Sequence, residues 1–133
     1  MILVDSNVII DVLKADVRWA SWSATQLSHA RAQKGLVINA VIYAELSADE
    51  QTAKTLDLFL DDLGFQMPAI SKPTARMAGE AYAQYRKRQG SKTGVLADFF
   101  IGAQAMAEGW TLLTRDRARY KTYFPQVPLI CPP

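Results

Sequence analysis

The chain has 133 residues, enough for one domain with a sizeable core and too few for two, and half of its residues are apolar. Its 15 basic and 13 acidic residues leave a net charge of +2, so no overall positive field marks a nucleic-acid binder and local patches must decide that question. The single Cys131 excludes an internal disulfide framework and a multi-cysteine zinc site; with no leader pattern and no membrane-length apolar run, residues 1–133 read as one soluble, cytoplasmic domain.

Ile2-Leu3-Val4 reads as a short buried strand, stopped by Asp5-Ser6-Asn7, which supplies capping chemistry for a helix from Val8 to Ala15. Asp5 then sits at the carboxyl end of a strand, where it either caps a turn or faces a ligand. Asp16 reads as the cap of a second helix from about Val17 to Gln33, ended by Lys34-Gly35. Leu36-Val37-Ile38 is a second strand, and Asn39 caps a third helix through Leu46. A fourth helix runs from Asp49 to Leu63, followed by a candidate edge strand, Phe65-Gln66-Met67, stopped by Pro68. Ser71-Lys72-Pro73 opens a helix reaching Gln89, and Gly90 to Gly94 reads as a flexible loop. Val95 to Glu108 is a nearly all-apolar, hence buried, helix stopped by Gly109. Thr111-Leu112-Leu113 is a strand, Thr114-Arg115-Asp116 a turn, Arg117 to Tyr123 a short basic helix and Val127 to Ile130 a last strand. The alternation, without tight hairpin signals, argues a three-layer α/β/α sandwich around a mostly parallel sheet of four or five strands.

Most acids fall on wet helix faces, but Glu45 interrupts the run Ala40 to Leu46, and Asp98 interrupts Val95 to Ala103. Asp116 repeats the strand-end position of Asp5. A mid-helix acid in apolar surroundings needs a partner, and no basic residue stands beside Asp98 in sequence. If the first strand and the Thr111 strand are neighbours, Asp5 and Asp116 emerge side by side, within reach of Asp98 and Glu45. Two carboxylates ~4 Å apart repel by about 4 kcal/mol at an effective dielectric of ~20, so such a cluster calls for a counter-charge. A hard divalent cation with oxygen ligands fits, and it brings phosphodiester hydrolysis within reach. The bland alternative is a set of unrelated capping acids.

The opening Ile2 to Asp11, Tyr43-Ala44-Glu45-Leu46, Leu96-Ala97-Asp98-Phe99-Phe100-Ile101-Gly102-Ala103 and Leu112-Leu113-Thr114-Arg115-Asp116-Arg117 resemble, in order and spacing, a PIN-domain ribonuclease, most closely the VapC-type toxins of bacterial toxin-antitoxin pairs. The resemblance covers essentially the whole chain, including Tyr120 to Pro125. It implies a magnesium- or manganese-dependent endoribonuclease whose acidic quartet falls on Asp5, Glu45, Asp98 and Asp116. Asp5 and Asp98 would hold the metal, Asp116 would complete the site, and Glu45 would position water or a second ion. Asn7 and Thr114 fall where polar side chains orient those carboxylates. A homodimer and a small antitoxin partner are also implied. At Gln104 some relatives carry histidine.

Arg115, Arg117, Arg119 and Lys121 form a basic patch beside Asp116 that is a candidate RNA-backbone contact, whereas Arg86-Lys87-Arg88 with Lys92 reads as solvated surface. Trp19 and Trp22 read as core or as a groove for a partner helix. His29, the only histidine, lies on a surface helix and is given no catalytic role. An aspartyl phosphatase would want a second acid where Asn7 stands. The competing reading from another class is a catalytically silent, dimerising PIN-like domain that binds RNA.

Overall fold

The computed structural model describes residues 1–88 and 95–133, so the loop expected at Gly90 to Gly94 and Lys92 lie outside the described residues. The elements follow in the order β1 (Ile2–Val4), α1 (Ser6–Leu13), α2 (Ala20–Gln33), β2 (Leu36–Val37), α3 (Ala40–Ala48), α4 (Glu50–Asp62), α5 (Lys72–Lys87), α6 (Leu96–Glu108), β3 (Thr111–Leu113), α7 (Arg117–Lys121) and β4 (Leu129–Ile130). The strands form one parallel sheet in the order β2-β1-β3-β4, flanked by helices. Leu3, Val4, Val37, Leu112 and Leu113 are completely buried, as continuous apolar strands must be when both sheet faces are covered. No helix among the described residues is long and apolar enough to cross a membrane.

This topology creates the site. From β1 the chain crosses to β2 on one side, then returns through four helices to place β3 on the other, with Ile2 beside Thr111 and Val4 beside Leu113. The connections thus diverge at β1, and a crevice opens at the carboxyl ends of β1 and β3. Capping places the surrounding helices: Asn39 accepts from Ile42 N at 2.9 Å, Asp49 from Thr52 N at 2.8 Å and Ser71 from Thr74 N at 3.2 Å. Gly109, at φ 71°, ends α6 in the left-handed conformation that glycine adopts without strain.

Three sequence expectations contract. Phe65-Gln66-Met67 forms a single parallel bridge, Gln66 to Val37, in which Gln66 N donates to Leu36 O and Ile38 N donates to Gln66 O, each at 3.0 Å. Pro68, lacking an N–H, cannot extend that ladder. The regular part of α2 begins only at Ala20, because Asp16 Oδ1 first closes a turn by accepting from Arg18 N and Trp19 N, both at 2.9 Å. β4 is shortened to Leu129–Ile130 because Val127 N still donates back to Phe124 O, at 3.1 Å.

A buried ion pair ties the start of the chain to the β3–α7 turn. Asp11, 2 % exposed, receives Arg115 Nε at 2.7 Å, Arg115 Nη2 at 3.1 Å and Ser23 Oγ at 2.8 Å. The guanidinium lies 5.2 Å from the centre of the Trp19 ring, and Trp22 meets that ring edge-on. Asp11 is a buried acid that the sequence analysis passed over, although it interrupts Val8-Ile9-Ile10 and Val12-Leu13 as Asp98 interrupts its own run.

Two stability predictions follow from this packing. Arg115→Gln strands a buried carboxylate and should cost about 3–5 kcal/mol in denaturant unfolding, with part of the loss recovered when Asp11→Asn is added. Gly102 faces Phe124 so closely that a methyl group would overlap the ring, whereas Gly79 has open space around it. Gly102→Ala should therefore lose about 1–3 kcal/mol, while Gly79→Ala, inside α5, should gain about 0.5–1 kcal/mol in the same measurement.

Candidate active site

Asp5 stands where β1 ends and α1 begins. Its backbone N continues the sheet by donating to Leu113 O at 2.9 Å, and its extended backbone makes it the N-cap of α1, with Oδ1 accepting from Ser6 N at 2.8 Å. The cap is thus Asp5 itself rather than Ser6 or Asn7. Oδ2 accepts from Thr114 Oγ1 at 2.8 Å, Tyr120 Oη at 2.9 Å and Asn7 Nδ2 at 3.4 Å. The carboxyl is 1 % exposed, with three of its four hydrogen bonds on Oδ2 and one on Oδ1. Asn7 also reaches Thr114 Oγ1 at 3.4 Å and accepts from Arg115 N at 3.2 Å, which stitches the end of β1 to the end of β3. Tyr120, completely buried, was not singled out from sequence. Burial first, then the Asp5 charge, raises its phenol pKa, so it stays a proton donor to Asp5.

The other three acids approach from separate elements. Glu45 on α3 accepts from Ser6 Oγ at 3.2 Å; burial, then the Asp5 charge, raises its pKa against the opposing pull of that hydrogen bond. Asp98 lies in the first turn of α6 rather than mid-helix, where the helix dipole favours an anion. Its pKa is nevertheless raised to about 6, chiefly by burial and further by Asp5 and Asp116, while Arg119 pulls it down. Asp116 caps α7, with Oδ1 accepting from Arg119 N at 3.3 Å.

Arg119 supplies the cation that no sequence neighbour of Asp98 could. Its Nη1 lies 3.4 Å from Asp98 Oδ1 and its Nε 3.2 Å from Asp116 Oδ2. These three side chains line a cleft of about 380 Å³ together with Tyr85, Phe99 and Tyr123. The remaining sequence candidates are placed elsewhere. Arg115 is held by Asp11, and Arg117 is exposed with Nε 3.2 Å from Cys131 Sγ. In the first patch, Arg86 lies over Tyr82 and Arg88 over Tyr123. Gln104 is a buried joint, accepting from Asn39 Nδ2 at 2.9 Å and donating to Ala69 O at 3.4 Å. His29 lies near Ile2 and Thr111, at the amino edge of the sheet, opposite the acids.

The donor set suits a hard divalent cation. Four carboxylates share the neighbourhood of one guanidinium, and the pKa values of Asp98 and Glu45 are raised, first by burial and then by the neighbouring acids, in spite of Arg119. Among the described residues no three acidic, histidine or cysteine side chains already close on one point. Magnesium does not require that, since it binds through one or two carboxylates and keeps several waters.

Solved structures with the same fold include the VapBC2 complex of Rickettsia felis bound to a DNA fragment from its promoter, with a TM-score of 0.76 over 100% of both chains at 20% identity. FitAcB of Neisseria gonorrhoeae matches with a TM-score of 0.65 at 23% identity, over 98% of this chain and 96% of that one. A toxin-antitoxin complex of Klebsiella pneumoniae gives 0.69 at 20% identity, over 100% of this chain and 98% of that one. At such identities the likeness is one of fold. No curated protein matches the chain in sequence. The sequence profile of the PIN domain matches residues 2–125, almost the whole chain, which therefore belongs to the PIN domain family.

Proposed function

We propose that this protein is a magnesium- or manganese-dependent endoribonuclease acting as the toxin of a toxin-antitoxin pair, held in check by a small antitoxin and working as a homodimer. The observation that carries the nuclease reading is the convergence of Asp5, Glu45, Asp98 and Asp116 on the carboxyl edge of the sheet, with more negative charge than Arg119 balances. The toxin reading is supported by likeness to the toxin-antitoxin complexes of R. felis and K. pneumoniae.

Asp5, Asp98 and Asp116 would hold the metal. An ion there supplies charge neutralisation at the scissile phosphate and makes water at the site easier to deprotonate. Asp5 contributes a fixed point, because four hydrogen bonds leave its carboxyl no freedom to turn. Glu45, whose raised pKa brings it nearer neutrality, is suited to position water and exchange a proton with it. Asn7 and Thr114 orient Asp5. Arg117 and Arg119 remain as RNA-backbone contacts, and Arg115 does not, because its guanidinium is engaged with Asp11. The cleft beside Asp98 is where the strand would lie, with Tyr123 in its lining as a surface for a base.

The silent RNA-binding alternative draws on one observation, that Arg119 already partners Asp98 and Asp116. Cleavage decides between them. Purified protein, free of any partner, should cut single-stranded RNA when magnesium or manganese is added and lose at least about a hundredfold in rate with Asp98→Asn. Asp98→Asn is a cleaner test than Asp5→Asn, which would set an amide N–H against hydroxyl donors. RNA binding without metal-dependent cleavage would favour the silent domain.

A pH experiment on the metal-free protein follows from the same site. The folded pKa of Asp98, about 6, lies above its ordinary 3.8, so between those values the native state binds more protons than the unfolded one. Stability from this group is present at low pH and is lost as pH rises through about 6. Urea unfolding should show a fall on the order of 1 kcal/mol across that window, after discounting for solvent screening, and Asp98→Asn should flatten it.

A further inference from the structure

We infer that Arg119 is a tethered, exchangeable counter-cation: its guanidinium holds Asp98 and Asp116 together in the metal-free protein, leaves them when a divalent ion binds, and is thereby released to grip RNA phosphate in the adjoining cleft. The inference rests on the metal-site reading above and adds to it a competition within the chain.

The guanidinium bridges carboxylates from two elements, Asp98 on α6 and Asp116 at the start of α7, at 3.4 and 3.2 Å. Those contacts are longer than the charge-assisted bonds of a locked pair. The side chain is 42 % exposed and lines the cleft, so its guanidinium has solvent to turn into. Its backbone cannot follow, because Arg119 N is held by Asp116 Oδ1 at 3.3 Å, and the next residue, Tyr120, is anchored on Asp5. Arg119 is therefore a mobile charge on a fixed pivot.

Arg119 holds Asp98 Oδ1 and Asp116 Oδ2, and a divalent ion that takes either of those oxygens competes with the guanidinium, since two cations on one oxygen repel. Once displaced, the planar fork of donors lies beside the cleft and is matched to a phosphate. Phosphate binding by Arg119 in turn vacates the carboxylates. Ion and RNA therefore favour each other's binding, and linkage requires the effect to be reciprocal.

The test is manganese binding, followed by the loss of the free-ion paramagnetic resonance signal on titrating protein at pH 8, for the parent, Arg119→Gln and Arg119→Lys. Arg119→Gln should bind Mn2+ roughly tenfold tighter than the parent, with Arg119→Lys in between, since the ammonium keeps the charge but loses the bridging fork. Adding a short uncleavable single-stranded RNA analogue should tighten Mn2+ binding severalfold in the parent and much less in Arg119→Gln. Circular dichroism verifies that the variants are folded, as expected for a half-exposed side chain. If the parent and Arg119→Gln bind Mn2+ equally, or the variant binds more weakly, the counter-cation inference is overturned while the nuclease reading stands. If the Mn2+ shift appears in a protein that cuts no RNA, the inference holds and the nuclease reading falls. Failure of every form to bind Mn2+ overturns both.

Discussion

The structure depends on the Asp5 carboxylate, a charge almost completely withdrawn from water and held there by four donors. An ionised carboxyl in that position is affordable only if its lone pairs are satisfied, and the donors come from three places in the chain: Ser6 and Asn7 at the start of α1, Thr114 at the end of β3 and Tyr120 on α7. The bonds therefore do more than stabilise an anion. They set the junction between β1 and β3 and orient α7, which then presents Asp116 and Arg119 side by side at the cleft.

Charge at the site divides into two kinds. Asp5 and Asp11 are deeply buried and internally compensated, one by hydrogen bonds and the other by the bidentate Arg115 and Ser23. Glu45 and Asp98 are only partly buried, and burial raises the pKa of both against the pull of Arg119. Stabilising partners are short and numerous around Asp5 and Asp11 and longer and fewer around Glu45 and Asp98. The cluster is thus rigid at its base and electrostatically unsatisfied at its mouth.

Much of this was legible in the sequence because it is written in local chemistry. Apolar triplets ending at Asp5 and Thr114 mark buried parallel strands, and Asn39, Ser71 and Gly109 mark helix ends by the groups they offer to unpaired backbone. Asp98 stood out because an acid in an apolar run demands a reason. The same rule applied to Asp11, which interrupts Val8-Ile9-Ile10 and Val12-Leu13, marks the second buried acid. What sequence did not reveal was pairing across distance: Tyr120 with Asp5, Gln104 with Asn39 and Arg119 with Asp98 are contacts that only the fold creates. The candidate edge strand at Phe65 failed for a related reason, since a β-rich triplet becomes a strand only where its neighbour is long enough to pair, and β2 has two residues.

Arg115 and Arg119 show how burial of the partner, rather than residue type, decides what a charge does. Both were read from sequence as one basic patch. Arg115 faces a carboxylate that is 2 % exposed, through a fork whose shorter arm is 2.7 Å, and stacks on Trp19, so moving it would strand a buried anion. Arg119 faces carboxylates that are 15 % and 39 % exposed, through single longer contacts, and has solvent on its free side. Removing the first pairing exposes the framework to a large desolvation penalty, whereas loosening the second leaves carboxylates that already touch solvent. Four residues apart on one short segment, the two arginines hold the end of the sheet firmly on the Asp11 side and loosely on the side of the cleft.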